Sequence, residues 1–198
     1  MNKNFNVNSL MNWRNFTLGY IRAAYACANA YLNHNSATAN FDSYGKFAFI
    51  PAFWNFKHAL ELGIKFLFIA RRRNKVWGHD LISNLKKFKS ETGLSDKECE
   101  QLETMCKKYC NLRPLRKLTV RGSKPFPAIE DFENQFFHYP EGKDKAHKAV
   151  FAKNQNFPYH SLSVSLGYNN EFKMRKIMRE LKKDTKLFSR ILANHLWL

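Results

Sequence analysis

Apolar side chains recur every three or four positions along the first half of the chain, which is the spacing of one face of an α-helix. Residues 9–33 combine this period with several alanines and predict a long first helix that begins at Ser9, a residue type that caps helices. Pro51 stands where the first turn of a helix tolerates proline, so a second helix is predicted from there to about Ala70. Its helical period is carried by Phe53, Phe56, Leu60, Ile64 and Leu67.

Two shorter helices are predicted within residues 80–110. Asp80 is placed to cap the first of them, which stops near Gly93 and carries Leu81, Leu85 and Phe88. Ser95 and Glu98 have the spacing of a capping box, in which the two residues satisfy each other's backbone N–H groups. The helix that follows is expected to end before Pro114 and carries Cys99, Leu102, Cys106 and Tyr109.

The remaining segments are predicted to be irregular until the C-terminal helix. Residues 34–49, 112–148 and 158–167 are rich in polar residues, glycine or proline, with a short extended piece expected at 117–121. Residues 171–196 return to helical period. Their apolar side carries Met174, Met178, Leu181, Phe188 and Leu192, and their cationic side carries Lys173, Arg175, Lys176, Arg179, Lys182, Lys183, Lys186 and Arg190. We predict an all-α, up-and-down helical bundle in a single domain of residues 1–198.

The charge of the chain favours a polyanionic partner. Lysine and arginine number 33 against 16 aspartates and glutamates, which gives a formal net charge of +17. A domain this basic concentrates polyanions around itself, so RNA or another nucleic acid is the first partner to consider. Charge alone does not separate RNA from DNA, an anionic lipid surface or an acidic protein, and a cationic face can also serve only to keep a helix solvated.

Neither a membrane span nor a metal site is predicted. The longest apolar run is broken by Lys65 and then by Arg71, Arg72 and Arg73, well short of the roughly 18 residues that cross a bilayer. Residues 1–8 are polar and lack the apolar block of a secretory signal, so a cytoplasmic location is expected. The cysteines are interpreted as reduced core thiols without a metal or other cofactor; they are Cys27, Cys99, Cys106 and Cys110.

The second predicted helix carries a charged constellation. Glu61 and Lys65 lie four residues apart, so both project from one face and can pair or converge on a ligand, and His58 joins that face. The alternative is an exposed ion pair, which stabilises a helix by a few tenths of a kcal/mol. We count Glu61 and Lys65 as candidate substrate-binding residues.

A second constellation consists of Arg73, Asn74 and His79. Cleavage of RNA without a metal needs a group that takes the proton of the 2′-hydroxyl and a cation beside the phosphate, whose charge grows in the transition state. Histidine exchanges protons near neutral pH, arginine offers a planar fork to a phosphate, and asparagine can orient either partner. These three are the candidate catalytic residues. The flanking cations are candidates for holding the substrate; they are Arg71, Arg72 and Lys75.

An aromatic segment near the middle of the chain contains His138 and Tyr139. Its side chains either fill the interior of the bundle or line the same cleft as Lys65. In the second interpretation His138 and Tyr139 are further substrate-binding candidates.

Four short motifs, in this order, resemble bacterial domains of the HEPN superfamily: PAF at 51–53, HALELGIK at 58–65, GHDL at 78–81 and FHYP at 137–140. Members of that superfamily typically have an ELxLK helix, an HDL helix start and a later FRYP segment, in which His138 replaces the arginine here. The likeness covers residues 49–148. It implies a helical bundle that dimerises, so that two copies of an R-x4-6-H motif form one metal-independent ribonuclease site. Arg73, Asn74 and His79 match that motif.

Three functions remain open on the sequence. The first is a HEPN-type endoribonuclease, acting as a toxin or anti-phage defence effector that a cognate inhibitor or a larger defence complex restrains. The second is a non-catalytic module that binds nucleic acid or a nucleotide within a larger complex. The third is a protein that neutralises an acidic partner.

Overall fold

The helices predicted from the sequence form an all-α bundle. The structure, a computed structural model, describes residues 7–34, 45, 47–72, 78–88, 93–110, 113–120, 124–125 and 170–195. Five α-helices lie within these residues: α1 (Val7–Asn33), α2 (Phe49–Arg72), α3 (Leu81–Phe88), α4 (Asp96–Cys110) and α5 (Glu171–Asn194). A 3₁₀ helix follows α4 (Arg113–Lys117), and then two antiparallel strands, β1 (Thr119–Val120) and β2 (Lys124–Pro125). Strand β1 lies inside the predicted extended piece.

Helix α2 is the centre of the core. The five apolar residues that set its predicted period are all buried: Phe53, Phe56, Leu60, Ile64 and Leu67. The helix begins two residues before Pro51, which therefore lies in its first turn, where a missing N–H costs no hydrogen bond. Helix α1 packs along α2, and α5 covers the side where they meet. In the described residues we find no helix whose length and apolar character suit it to cross a membrane.

Gly63 lies where side chains of α1 and α5 meet α2. A Cβ atom at this buried position would lie 2.3 Å from Cζ of Phe188 on α5 and 3.3 Å from Cγ2 of Thr17 on α1. Phe188 is fully buried among core side chains, so its ring has little room to move aside. The missing side chain at Gly63 is therefore what lets α5 pack this close to α2.

Gly63→Ala is expected to lower the free energy of unfolding by about 1–3 kcal/mol, because the added methyl group overpacks the core. At a solvent-exposed helix position, the same replacement of glycine by alanine would instead raise the stability slightly. Urea denaturation of the two proteins measures the change. Gly19→Ala on α1 is the matched control, because its Cβ would meet no atom of the described residues within 4 Å. A Gly63→Ala protein as stable as the Gly19→Ala protein would contradict the prediction.

The apolar side predicted for the C-terminal helix is confirmed in α5. Met174, Met178, Leu181, Phe188 and Leu192 are all buried. Six cations of the opposite side are exposed: Lys173, Lys176, Arg179, Lys183, Lys186 and Arg190. We call these six residues the α5 basic face.

Arg175 departs from this pattern. Its terminal nitrogens donate to the carbonyl oxygens of Leu32, at 2.6 Å, and of His34, at 2.5 Å, while Nε donates to Glu171 at 3.1 Å. The last carbonyls of a helix have no partner within the helix, and Arg175 satisfies that of Leu32 in the last turn of α1 and that of His34 just after it. It is therefore a structural residue, although the sequence grouped it with the solvated cations.

The predicted capping box at the start of α4 is confirmed. Glu98 accepts hydrogen bonds from the backbone N–H and the hydroxyl of Ser95, at 2.9 and 2.8 Å, and its own N–H donates to Ser95 Oγ at 3.3 Å. The same carboxylate lies 3.1 Å from Asn194 Nδ2 and 3.2 Å from His195 Nε2 at the end of α5. Partial burial opposes ionisation, but these hydrogen bonds outweigh it and lower the pKa of Glu98 from 4.5 to about 2.

Glu98→Gln is expected to lower the free energy of unfolding by about 1–2 kcal/mol near neutral pH, because charge-assisted hydrogen bonds are lost. A carboxyl whose pKa is lowered on folding stabilises the protein above its unfolded-state pKa and loses that contribution as the pH falls through the folded-state value. The difference between wild type and variant should therefore hold above pH 4.5 and shrink as the pH falls towards about 2. Urea unfolding across this window measures it.

Glu103→Gln is the control for that experiment, since Glu103 pairs with Lys107 one turn along the same helix and both side chains are partly exposed. A partly exposed pair within one helix contributes little, so this variant should match wild type at every pH. A Glu98→Gln difference that stays constant down to about pH 2 would show that the carboxylate charge is not what stabilises the capping box.

A second polar cluster joins α4 to α5. Asp184 accepts hydrogen bonds from Lys108 Nζ and from the Tyr109 hydroxyl, each at 2.7 Å. Burial and the neighbouring Asp184 carboxylate raise the pKa of Tyr109 well above its usual range, so the phenol remains a donor. The expected core position is confirmed for Cys99 and Cys106, which are buried on α4.

Candidate functional site

The candidate site is organised around the carboxylate of Glu61, in the middle of α2. Lys65 Nζ donates to Glu61 Oε1 at 2.6 Å, and His79 Nδ1 lies 2.9 Å from the same oxygen. His58 Nδ1 lies 3.7 Å from Oε2, on the other side of the carboxylate. One acidic group therefore joins two histidines and a lysine, and we call these four residues the Glu61 cluster.

The Glu61–Lys65 pair lies inside the protein. Glu61 is 3% exposed and Lys65 is 5% exposed, so the interpretation of an exposed ion pair is wrong. Residues of neighbouring elements cover this face of α2, which the residue spacing within one helix does not reveal. Removing both charges from water is costly, and the short contact and the added hydrogen bond from His79 offset that cost. The lysine and the carboxylate thus hold each other in place.

His79 is the accessible member of the cluster. Its side chain is 64% exposed, and it lies in the short segment just before α3. Asp80, the next residue, caps α3 as predicted: its Oδ1 accepts from the N–H groups of Ile82 at 3.0 Å and Ser83 at 2.9 Å. Gly78, the residue before His79, has a φ of +95°, which favours glycine. The Asp80 cap therefore fixes the chain on the C-terminal side of His79.

The contact with Glu61 orients the His79 ring. A carboxylate oxygen only accepts hydrogen bonds, so the bond at 2.9 Å requires the proton on Nδ1. In the neutral ring, Nε2 is then the nitrogen with a lone pair, and the exposure of the side chain makes it accessible from solvent. A histidine held by a carboxylate through one nitrogen can take a proton with the other, which is how such pairs act in general base catalysis.

His58 connects the cluster to an aromatic group on α1 and α2. Its ring stacks on Trp54, with centroids 5.5 Å apart and an angle of 7° between planes. Tyr20 of α1 meets the same ring edge-on at 4.5 Å. The residue pattern placed His58 beside Glu61 but indicated no role for Trp54 or Tyr20. Tyr20 lies 38 residues from His58 along the chain, so nothing in the spacing indicated their contact.

Of the residues predicted for a site, three are brought together by the structure: Glu61, Lys65 and His79. By residue pattern, Glu61 and Lys65 belonged to one constellation and His79 to another. Arg71 is not part of this cluster in the contacts described. It is exposed, and its guanidinium lies against Gly93, which has a φ of +69° and where a Cβ would lie 2.4 Å from an arginine nitrogen.

Several predicted site residues lie outside the described residues. They are Arg73, Asn74, Lys75, His138 and Tyr139, together with the side chain of Arg72. Their roles remain predictions. Within the described part of the chain, no group of three or more histidine, cysteine, aspartate or glutamate side chains is arranged to hold a metal ion.

The Glu61 cluster thus combines a buried, charge-paired carboxylate with an exposed histidine that it orients. Such an arrangement suits proton transfer at the protein surface. Comparison with protein-family models, with curated proteins and with solved structures gives no match to this chain.

Proposed function

We propose that this protein is a metal-independent endoribonuclease of the HEPN type, which cuts RNA as a toxin or anti-phage defence effector. The observation that carries the proposal is the exposed His79 ring with its Nδ1 hydrogen-bonded to the buried Glu61 carboxylate at 2.9 Å. The net charge of +17 supports an RNA substrate. The motif likeness of residues 49–148 to HEPN domains supports the same reaction.

In the proposed reaction, His79 Nε2 takes the proton of a ribose 2′-hydroxyl. The 2′-oxygen attacks the adjacent phosphorus, the bond from phosphorus to the 5′-oxygen breaks, and that oxygen takes a proton from water. His79 then returns its proton to the solvent. The products are a 2′,3′-cyclic phosphate and a 5′-hydroxyl. By its likeness to the HEPN motif, Arg73 steadies the phosphate charge and Asn74 orients it. Glu61 and Lys65 act through His79, as positioning residues.

The partners that we propose for this protein also follow from its likeness to HEPN domains. Two copies of the chain would bring two such motifs to one composite site, so a homodimer is the proposed active form. A cognate inhibitor or a larger defence complex would restrain the nuclease in the cell. No membrane and no cofactor are part of this proposal.

The test is incubation of the purified protein with a labelled RNA of mixed sequence in EDTA, followed by analysis of the product ends. We expect cleavage that leaves 2′,3′-cyclic phosphates and 5′-hydroxyls. Products with 5′-phosphates, or activity that requires an added metal ion, would contradict the proposed chemistry. Size-exclusion chromatography of the active fraction tests the dimer.

The alternative is a non-catalytic module that binds nucleic acid or a nucleotide within a larger complex. The α5 basic face favours it, because six exposed cations on one helix suit contact with a phosphate backbone. In the same assay this module would bind RNA without forming products. Its affinity would fall steeply as salt rises, since each neutralised phosphate releases counterions.

A further inference from the structure

An apolar groove runs along the surface between α1 and α2. One hollow of about 350 Å³ is lined by Asn12, Trp13, Phe16, Tyr20, His58 and Leu62. A second hollow of about 420 Å³ shares Phe16 and Tyr20 with the first and continues past Gly19 and Asn55. Each falls in the size range of clefts that hold small ligands, roughly 300–1,000 Å³. We call the two hollows together the α1 groove.

Aromatic rings form the walls of the α1 groove, and Phe16 stands between the two hollows. The Phe16 side chain is 64% exposed, unusual for a phenylalanine in a folded protein. Tyr20 lies one helical turn after Phe16 on α1, so the two rings lie on the same side of that helix. The Tyr20 ring is held edge-on against Trp54 at 5.7 Å and against His58 at 4.5 Å, whereas the Phe16 ring is open to a flat ring that stacks on it.

His58 makes the α1 groove continuous with the Glu61 cluster. Its ring lines the first hollow, and its Nδ1 lies 3.7 Å from Glu61 Oε2. His79 binds the other oxygen of that carboxylate at 2.9 Å. The two histidines approach the two oxygens of one carboxylate, which places the end of the groove near the exposed His79.

From this juxtaposition we infer that the α1 groove binds a nucleobase of the RNA strand, stacked against Phe16, beside the phosphate at which His79 acts. The inference rests on the proposed function, because it names the base-binding part of the same site. Bases stack on aromatic side chains whatever their sequence, and this stacking is a main source of affinity for single strands.

The rim of the groove and the charge of the chain favour a nucleic acid over an apolar peptide. The side-chain amides of Asn12, Asn15 and Asn55 line the groove, and amides offer both a donor and an acceptor to the edge of a base. The protein carries a net charge of +17, which attracts the phosphates on either side of a bound base. An apolar segment of a second protein would use neither feature.

The inference is tested by the binding of a fluorescent 2′-O-methyl oligoadenylate, measured by anisotropy in EDTA. This strand lacks the hydroxyl that the proposed reaction needs, so binding is measured whether or not the protein cuts RNA. Phe16→Ala removes the exposed ring, and Gly19→Leu fills the groove at a position where a Cβ would meet no described atom within 4 Å. Phe172→Ala, on α5, removes another exposed phenylalanine, 83% accessible, and is the matched control.

We expect Phe16→Ala and Gly19→Leu each to weaken binding of the oligoadenylate by about 5- to 30-fold, the effect of losing one stacked base. Phe172→Ala should bind like wild type. Inorganic polyphosphate, which has charge but no bases, should bind all four proteins equally. The salt dependence of oligoadenylate binding should stay unchanged in Phe16→Ala, because the phosphate contacts remain.

Two results would overturn the inference. One is oligoadenylate binding by Phe16→Ala and Gly19→Leu equal to that of wild type. The other is a Phe16→Ala protein that no longer self-associates in analytical ultracentrifugation but still binds RNA. That result would assign the groove to a second copy of the chain. A failure of the proposed nuclease activity is distinguishable from both. In that case wild type would leave unmodified RNA uncut, but the groove variants would still bind the oligoadenylate more weakly than wild type.

Discussion

Replacing His79 with alanine is expected to slow RNA cleavage by about 10²- to 10⁴-fold, the usual loss when a general base is removed. The reason is that His79 is the accessible proton acceptor of the Glu61 cluster, oriented by a hydrogen bond from Nδ1 to a buried carboxylate. Rates of cutting of a labelled RNA in EDTA, under single-turnover conditions, measure the effect. The variant should still bind RNA, because one exposed ring contributes little to the cationic surface.

The control for this prediction is His79→Gln. Its amide can still donate a hydrogen bond to Glu61, but it does not exchange a proton near neutral pH. It should therefore be as inactive as His79→Ala. His79→Gln should unfold close to the wild-type temperature, because its amide can replace the hydrogen bond to Glu61. His79→Ala should be less stable by about 1–3 kcal/mol, because the buried Glu61 carboxylate loses one donor. Cleavage by His79→Gln at the wild-type rate would rule out His79 as the general base.

Removing the carboxylate of Glu61 is expected to destabilise the fold by about 3–5 kcal/mol. In the Glu61→Ala variant, Lys65 would remain as a buried ammonium group, 5% exposed, without the acceptor that lies 2.6 Å from it. An unpaired buried charge is among the costliest defects in a protein interior. Urea denaturation, followed by circular dichroism at 222 nm, measures the loss.

The decisive comparison for Glu61 is the double variant Glu61→Leu/Lys65→Met, which removes both charges and nearly keeps the volume. Replacing a buried ion pair by apolar residues is often neutral, so this protein should regain most of the stability that Glu61→Ala loses. It should nevertheless cut RNA poorly, because His79 has lost the group that orients it. If the double variant were no more stable than Glu61→Ala, the unpaired charge of Lys65 would not be the cause of the stability that Glu61→Ala loses.

Much of the fold follows from local pattern. The helical period of Phe53, Phe56 and Leu60 placed α2, and the periods of the other segments placed α1, α4 and α5 within a few residues and α3 at its start. The predicted cap at Ser9 was wrong, because α1 already begins at Val7, and the predicted end of α3 near Gly93 follows residues 89–92, which lie outside the described residues. The caps at Asp80 and Ser95 were also predictable. Each depends on groups fewer than four residues apart, so the spacing along the chain fixes the geometry.

Only part of the candidate site was predictable, because the spacing along the chain fixes only contacts within one helix. Glu61 and Lys65 lie one helical turn apart, so their pairing follows from the period of α2. His79 lies 18 residues from Glu61 on a different element, and nothing in the residue pattern joined the two. The HEPN likeness pointed to His79 as a catalytic residue but did not indicate which carboxylate orients it.

By itself, the sequence determined the helices, the caps of α3 and α4, the apolar side of α5 and the excess of positive charge, because these depend on residue type and on spacing along one helix. Only the tertiary structure decided that the Glu61–Lys65 pair is buried, that His79 binds it, that Arg175 caps α1, and that an aromatic groove adjoins the cluster at His58. Burial and long-range contacts depend on which helix faces pack together, and that packing brings distant residues within hydrogen-bond distance.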